Sequence, residues 1–188
     1  MNTTLRASAA ANAAQHPQRL QVQPLTAQAF ADFGEVIDSA GHVPVPINNG
    51  MTERYHALAR VDTGGADGHA LINLFHALPY ELPLLLKEME RHPLGSQAFV
   101  PLQPQPFIVV VAPVGECVQT GELRAFITDG RQGVNYRRGV WHHSLIALQA
   151  PTRFLVVDRG GPGNNCDVLP IGDGSGVLLE LPPPQHAA

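Results

Sequence analysis

The sequence predicts an all-β domain built from many short strands. Its 188 residues include 18 glycines and 17 prolines, and only 15% are charged, against roughly 25% in ordinary domains. Valine, isoleucine and phenylalanine occur in short runs that turn residues separate. This spacing is typical of a sandwich, a jelly roll or a small barrel, and it does not distinguish among the three.

Strand-like segments follow one another along the chain. Residues 107–112 are a continuous apolar run, typical of a buried strand, and residues 123–128 alternate with a period of two, typical of a half-buried strand. The other predicted strands are residues 20–25, 35–37, 71–77, 84–92, 97–102, 144–149 and 153–158. Between them, Asn48-Asn49-Gly50 has the composition of a tight turn.

One segment, residues 27–33, has helical character. Thr26 is a good N-cap, and Leu25 and Phe30 occupy the two positions of a hydrophobic staple. Gly34 follows as a plausible C′ residue. The sequence therefore predicts one or two short helices beside the strands.

One domain is expected over residues 20–171. Residues 1–19 are rich in alanine, glutamine, asparagine and threonine without the apolar core of a signal peptide, so we predict a flexible tail. Residues 172–188 contain glycine and proline clusters and are predicted to form a second flexible tail.

Composition argues against several classes of partner. The net charge of −4 provides no basic surface for nucleic acid, and no apolar run approaches the roughly 20 residues of a membrane span. The two cysteines, Cys117 and Cys166, form no CxxC pair or disulfide framework, which is typical of a reducing compartment. We therefore expect a cytoplasmic protein.

Two segments place polar side chains inside sequence that otherwise resembles buried strand. Residues 90–99 read ERHPLGSQAF and residues 139–143 read GVWHH. Burying carboxylates and imidazoles costs several kcal/mol unless they are paired or used. His92 and His142 are thus candidates for proton transfer or metal ligation, with a core histidine bonded to a carbonyl as the alternative. His143 should face the opposite way and be structural.

Five strings in this order resemble the ureidoglycolate lyase family of allantoin degradation. They are residues 48–56 (NNGMTERYH), 90–99, 123–128 (LRAFIT), 133–143 (GVNY and VWHH) and 158–167 (DRGG to NCD). The resemblance covers residues 20–171. It implies a cupin-type double-stranded β-barrel, a homodimer, and cleavage of ureidoglycolate into glyoxylate and urea.

The resemblance also implies a ligand set. A cupin carries His-x-His, a carboxylate and a later histidine; here Glu90-x-His92 stands for the first pair, Gln97 for the carboxylate and His142 for the last ligand. His92, Gln97 and His142 would hold any metal, such as nickel, manganese or zinc, and Glu90 could join them. Because an amide is a poor ligand, catalysis without a metal is an equal alternative.

Cleavage of this hemiaminal needs a base for the hydroxyl proton and an acid for the leaving nitrogen. Besides His92 and His142, Glu90 could orient a histidine or accept ureido N–H groups, and Gln97 could both donate to and accept from a urea group. Lys87, the only lysine, is a candidate base. Strand parity places Lys87 on the face opposite Glu90 unless a bulge intervenes, so a solvated lysine is the alternative.

The substrate carboxylate calls for a guanidinium group. Arg54 and Arg124 are the candidates for binding it, together with Arg91, although a surface salt bridge is the more common role of one arginine. Asn135 and Tyr136 could line the mouth of the site. Residues 158–161 read as a turn locked by an ion pair.

Three other functions compete with the lyase. Hydrolysis of the same substrate would release ammonia, a metal-dependent cupin oxygenase would use two histidines and a carboxylate, and a non-catalytic cupin would bind a small acid.

Overall fold

The computed structural model describes residues 17–182, and within them strands dominate. The strands are β1 (Gln18–Pro24), β2 (Gly34–Ile37), β3 (Val45–Ile47), β4 (Thr52–Arg54), β5 (His69–Ala77), β6 (Leu84–Leu86), β7 (Glu88–Arg91), β8 (Gln97–Pro101), β9 (Phe107–Ala112), β10 (Arg124–Ile127), β11 (Gly133–Tyr136), β12 (Trp141–His142), β13 (Ile146–Ala147), β14 (Thr152–Gly160), β15 (Asp167–Pro170) and β16 (Val177–Glu180). The helices are α1 (Ala27–Phe30) and a 3₁₀ turn (Thr120–Glu122). The all-β prediction is confirmed.

Two sheets form a curled double-stranded β-barrel of the cupin type. The large sheet has the order β15-β7-β12-β9-β10-β1-β16-β6, with β13 also paired to β9, and the small sheet has the order β2-β11-β8-β14-β5. Neighbouring strands are antiparallel except that β1 runs parallel to both β10 and β16. A separate hairpin, β3–β4, lies outside both sheets.

The inner core lies between the two sheets, and it is defined by side chains that both sheets contribute. Val109, Val111 and Phe126 come from the large sheet, and Phe99, Val134, Tyr136, Phe154 and Val156 come from the small one. Thr26 caps α1 by accepting a hydrogen bond from the backbone of Ala29 at 3.1 Å, as the sequence predicts. The side chains of Leu25 and Phe30 are buried in the inner core.

The outer core covers the other face of the large sheet. It contains Ile108, Val110 and Ala112 of β9, together with Trp141, Met89 and residues from β1 and β16. Alternate residues of β9 thus enter different cores, which explains its continuous apolar run. β10 is covered in the same way, because Ala125 packs in the outer core and Phe126 in the inner core. The prediction that β10 is half-buried is therefore wrong.

The C-terminal segment joins the sheet. Residues 177–180 form β16, which pairs with β1 and β6, and Val177 and Leu179 are fully buried. The prediction that residues 172–188 form a loose tail is therefore wrong for residues 177–180. Val177 and Leu179 point into the core, and β16 fills the position between β1 and β6 in the large sheet. At the other end, β1 already begins at Gln18. The rest of both predicted tails, residues 1–16 and 183–188, lies outside the described residues.

Within the described residues, no helix combines the length and apolar character that a bilayer span requires.

Candidate active site

Glu90, His92 and His142 converge on the inner face of the large sheet. Glu90 and His142 are Cα partners on the antiparallel strands β7 and β12. One ligand atom from each of the three residues lies within 4.8 Å of the other two. The Nε2 atom of His142 is 3.5 Å from Oε1 of Glu90. The fold therefore brings together three of the four residues predicted to carry the chemistry; they are called the Glu-His-His cluster below.

Backbone carbonyls determine the tautomer of both histidines. His92 Nδ1 lies 2.6 Å from the carbonyl oxygen of Asn165, and His142 Nδ1 lies 3.1 Å from that of Val140. A carbonyl oxygen only accepts hydrogen bonds, so Nδ1 donates in each ring. In the neutral rings, both Nε2 atoms then keep a free lone pair. Both are buried and without a hydrogen-bond partner among the described residues.

Glu90 brings negative charge to these lone pairs. When the His142 ring carries a second proton, its Nε2–H group donates toward Glu90; this hydrogen bond lowers the pKa of the Glu90 carboxyl below its ordinary value and outweighs the opposing effect of partial burial. Glu90 is therefore a carboxylate at neutral pH. A carboxylate beside an imidazole stabilises the imidazolium that forms when the ring takes up a proton.

Tyr136 holds the His142 ring from the opposite sheet. The two rings are stacked, with centroids 4.3 Å apart and an interplanar angle of 17°. Tyr136 is fully buried, and burial raises the pKa of its phenol far above the usual value, so the hydroxyl stays neutral. His142 covers one face of the Tyr136 ring. The role of Tyr136 in binding substrate stays a prediction.

Gln97 lies on the inner face beside Tyr136. The two residues are Cα partners on β8 and β11, and Phe99, two residues further along β8, packs in the inner core. Gln97 is 6% exposed, and its Oε1 atom is buried without a hydrogen-bond partner among the described residues. Within residues 17–182, the three ligands implied by the resemblance each have one buried side-chain atom without a hydrogen-bond partner: Nε2 of His92, Oε1 of Gln97 and Nε2 of His142.

The Glu-His-His cluster fits a divalent ion. Two imidazole lone pairs and one carboxylate form a donor set that suits nickel, manganese or zinc, and the Nδ1 hydrogen bonds to Asn165 and Val140 orient the rings as ligating histidines require. The unpaired Nε2 atoms are the observation on which this fit depends.

Lys87, Arg54 and Arg124 lie outside the Glu-His-His cluster. Lys87 is exposed at a break that divides the predicted strand 84–92 into β6 and β7. Arg54 is exposed on the β3–β4 hairpin. Arg124 is exposed and donates to the backbone carbonyls of Gly121 and Leu123. The fold does not bring these three predicted residues to the cluster.

Arg91 also lies outside the Glu-His-His cluster. Its guanidinium pairs with Asp167 at 2.9 Å and covers the ring of Trp141 at 4.6 Å. Trp141 belongs to the outer core, so Arg91 stabilises the face opposite the cluster. His143 is half-buried, borders a small cavity that Glu88 and Glu90 also line, and bonds locally to the carbonyl of Ser144.

Asn135 faces away from the Glu-His-His cluster, contrary to the prediction that it lines the mouth with Tyr136. Adjacent residues of a strand point to opposite faces, and Tyr136 takes the inner one. Asn135 instead donates to Glu35 at 2.8 Å and to the carbonyl of Arg60 at 3.0 Å. It borders a separate polar cavity of about 610 Å³, which Glu35, Arg60, Asp62, Ser96, Arg137 and Arg138 help to line.

Two residues that position the side chains of the site are not predicted from the sequence. Asn165 orients His92 through its backbone oxygen and bonds to the backbone of Leu94 through its side chain. Asp158, interpreted from sequence as part of an ion-paired turn, binds the amides of Gln97 and Asn73 instead. Both partnerships join residues more than 60 positions apart, so no local pattern reveals them.

Fold and site together define a cupin-type β-barrel protein with a partly buried Glu-His-His cluster. Comparisons with known proteins make the assignment specific: residues 17–177 match the family model described as ureidoglycolate lyase. The chain belongs to the ureidoglycolate lyase family.

Several relatives carry that name. The ureidoglycolate lyase of Pseudomonas aeruginosa is 55% identical over 148 residues, 79% of this chain and 88% of the relative. That of Stutzerimonas stutzeri is 51% identical over 161 residues, covering 86% and 95% of the two chains. That of Pseudomonas entomophila is 53% identical over 148 residues, covering 79% and 89%.

Proposed function

We propose that this protein cleaves ureidoglycolate into glyoxylate and urea. Its membership of the ureidoglycolate lyase family and the names of its relatives support the substrate and the reaction. The observation that carries the chemistry is the pair of unpaired imidazole Nε2 atoms beside the Glu90 carboxylate.

The reaction moves one proton from oxygen to nitrogen. His142 Nε2 takes the hydroxyl proton, the carbon–oxygen double bond forms, and the carbon–nitrogen bond breaks. The same proton then passes to the ureido nitrogen, which completes urea. Glu90 stabilises the imidazolium that exists between the two transfers. His92 Nε2 accepts a hydrogen bond that orients the substrate.

A divalent ion held by Glu90, His92 and His142 would, when bound, polarise a substrate oxygen. Such an ion would occupy the Nε2 lone pairs of both histidines, so the proton transfer and the substrate hydrogen bond described above belong to the protein without an ion. Positioned acids and bases contribute about 10²- to 10⁴-fold each without a metal.

The assay that tests the function measures glyoxylate, urea and ammonia released from racemic ureidoglycolate before and after exhaustive chelation. We expect glyoxylate and urea in equal amounts. Activity that survives chelation would assign the proton transfers to side chains alone. Activity restored only by nickel, manganese or zinc would make His92 and His142 ligands of an ion and would overturn the role of His142 as the base. Ammonia in place of urea would identify a hydrolase instead. No turnover with any added metal would leave a small-acid-binding cupin or an oxygenase.

We also propose that the protein is a cytoplasmic homodimer. β5 is an edge strand of the small sheet, and it exposes Ile72 at 76% and Leu74 at 62%. The neighbouring exposed apolar residues are Leu71, Phe75, Leu78 and Tyr80. A long apolar edge strand left in water promotes association, so a second copy is the occupant we propose. The free, exposed Cys117 and Cys166 suit a reducing cytoplasm.

Introducing charge on this edge should separate the subunits. We expect wild-type protein to sediment as a dimer and the Ile72→Glu/Leu74→Lys variant to sediment as a folded monomer, because both side chains would be buried in the interface. Analytical ultracentrifugation measures the mass, and circular dichroism checks the fold. Substituting exposed Val114, which is far from β5 in sequence and outside the sheets, is the control. A wild-type monomer would contradict the proposal.

A further inference from the structure

Asp158 lies beside Gln97 on the inner face of the small sheet. β14 pairs with β8 in a register that matches Val156 with Phe99 and Val157 with Ala98, so Asp158 follows opposite Gln97. Val156 and Phe99 both pack in the inner core, and residues two further along each strand share that face. The chemistry proposed above gives Asp158 no role.

Both carboxylate oxygens of Asp158 accept hydrogen bonds from amides. Gln97 Nε2 donates to Oδ1 at 2.7 Å, and Asn73 Nδ2 donates to Oδ2 at 2.9 Å. A carboxylate only accepts hydrogen bonds, so it must face the NH₂ group of Gln97 and not its oxygen. This contact determines the orientation of an amide that could otherwise rotate by 180°.

The amide oxygen of Gln97 is consequently turned away from Asp158. It is buried and has no hydrogen-bond partner among residues 17–182. On the side of Gln97 opposite β14 lies Tyr136, whose ring stacks on His142. An unpaired carbonyl oxygen beside Tyr136, on the same face of the small sheet as the ring that stacks on His142, is a ready acceptor, and a ureido group carries N–H donors.

We propose that Asp158 is a positioning residue that holds the Gln97 amide oxygen toward the cluster, where it accepts a hydrogen bond from the ureido group of the substrate. The inference rests on the function proposed above and deepens it, because it names the group that recognises the ureido end. Asn73 supports Asp158 from β5.

The Asp158→Asn variant tests this positioning with almost no change in shape. Asn73 still donates to the new amide oxygen, which turns the new NH₂ group toward Gln97. Gln97 must then rotate to accept, and it presents its own NH₂ group to the N–H groups of the ligand. We expect about tenfold increases in the KM for ureidoglycolate and in the Kd for N-carbamoylglycine, an unreactive ureido acid, equal to about 1.4 kcal/mol. We expect kcat to change less than about twofold, as loss of uniform binding predicts.

Exchanging the two residues should reverse the defect. In the Asn73→Asp/Asp158→Asn variant, the new carboxylate accepts from the new NH₂ group, so the amide oxygen at position 158 again faces Gln97 Nε2. We expect KM and Kd to return to within about threefold of the wild-type values. A purely structural role of Asp158 predicts no such reversal.

The Glu35–Asn135 pair provides a matched control. It is another buried amide bonded to a carboxylate, at 2.8 Å, but on the opposite face of the same sheet. The Glu35→Gln variant should therefore leave KM and Kd unchanged. If Asp158→Asn fails to fold, Gln97→Met serves instead, since it removes the amide oxygen and should raise both constants to the same extent.

Unchanged KM and Kd in folded Asp158→Asn, or in Gln97→Met, would overturn the inference while leaving the lyase activity established. A double variant that keeps the defect of Asp158→Asn would also overturn it. Wild-type protein that releases no glyoxylate and urea would instead overturn the proposed function, and this inference with it.

Discussion

The His142→Gln variant should lose about 10²- to 10⁴-fold in kcat/KM for ureidoglycolate, the usual contribution of a positioned acid or base. His142 is fully buried, presents a free Nε2 lone pair 3.5 Å from the Glu90 carboxylate and is stacked on Tyr136. Glutamine keeps a similar volume and polarity but cannot shuttle a proton at neutral pH. Steady-state kinetics of glyoxylate release, on protein whose fold circular dichroism has checked, measure the loss.

The neighbouring histidine is the control for this substitution. His143 follows His142 directly, but its ring bonds to the backbone oxygen and the hydroxyl of Ser144, and it borders a small cavity that Glu88 and Glu90 also line. We expect His143→Gln to retain kcat/KM within a fewfold of wild type. Comparable losses in both variants would contradict the assignment of proton transfer to His142 alone.

The Trp141→Ala variant should lower the free energy of unfolding by about 3–5 kcal/mol, the usual cost of deleting a buried aromatic ring. Trp141 is fully buried in the outer core, donates from Nε1 to the carbonyl of Gly115 at 2.9 Å, and lies under the Arg91 guanidinium. Alanine leaves a cavity and removes both interactions. Thermal unfolding should show a Tm about 6–20 °C lower, given roughly 2–4 °C per kcal/mol at this size.

Trp141→Phe is the matched control for that loss. Phenylalanine keeps most of the ring contacts and removes the N–H donor, so it should cost clearly less than alanine. A fall of less than about 1 kcal/mol for Trp141→Ala would mean that the outer core relaxes around the missing ring.

Local sequence determined the individual elements of the barrel. Asn48, Asn49 and Gly50 adopt positive φ in the β3–β4 turn, as their composition predicts. The capping contact of Thr26 and the apolar character of residues 107–112 also appear as expected. These features depend on a few consecutive residues, whose conformational preferences act without the rest of the chain.

Sequence also located the two segments that meet in the site, because polar residues inside buried strands are costly and stand out. It did not settle which neighbours share a face with them. Tyr136 and Asn135 were predicted together, yet the pleat sends one to His142 and the other to Glu35. Lys87 lies outside the site because the predicted strand is interrupted at this residue. β6, before it, pairs with β16, whereas β7, after it, pairs with β15 and β12.

By itself, then, the sequence determined the all-β class, the turns and the identity of Glu90, His92, Gln97 and His142 as candidates. Only the tertiary structure decided the tautomers of the two histidines, the orientation of Gln97 and the burial of β10 and β16. The physical reason is the same in each case. These properties depend on hydrogen bonds and packing between strands that lie far apart in the chain, as when Asp158 binds Gln97, and no local pattern encodes such partners.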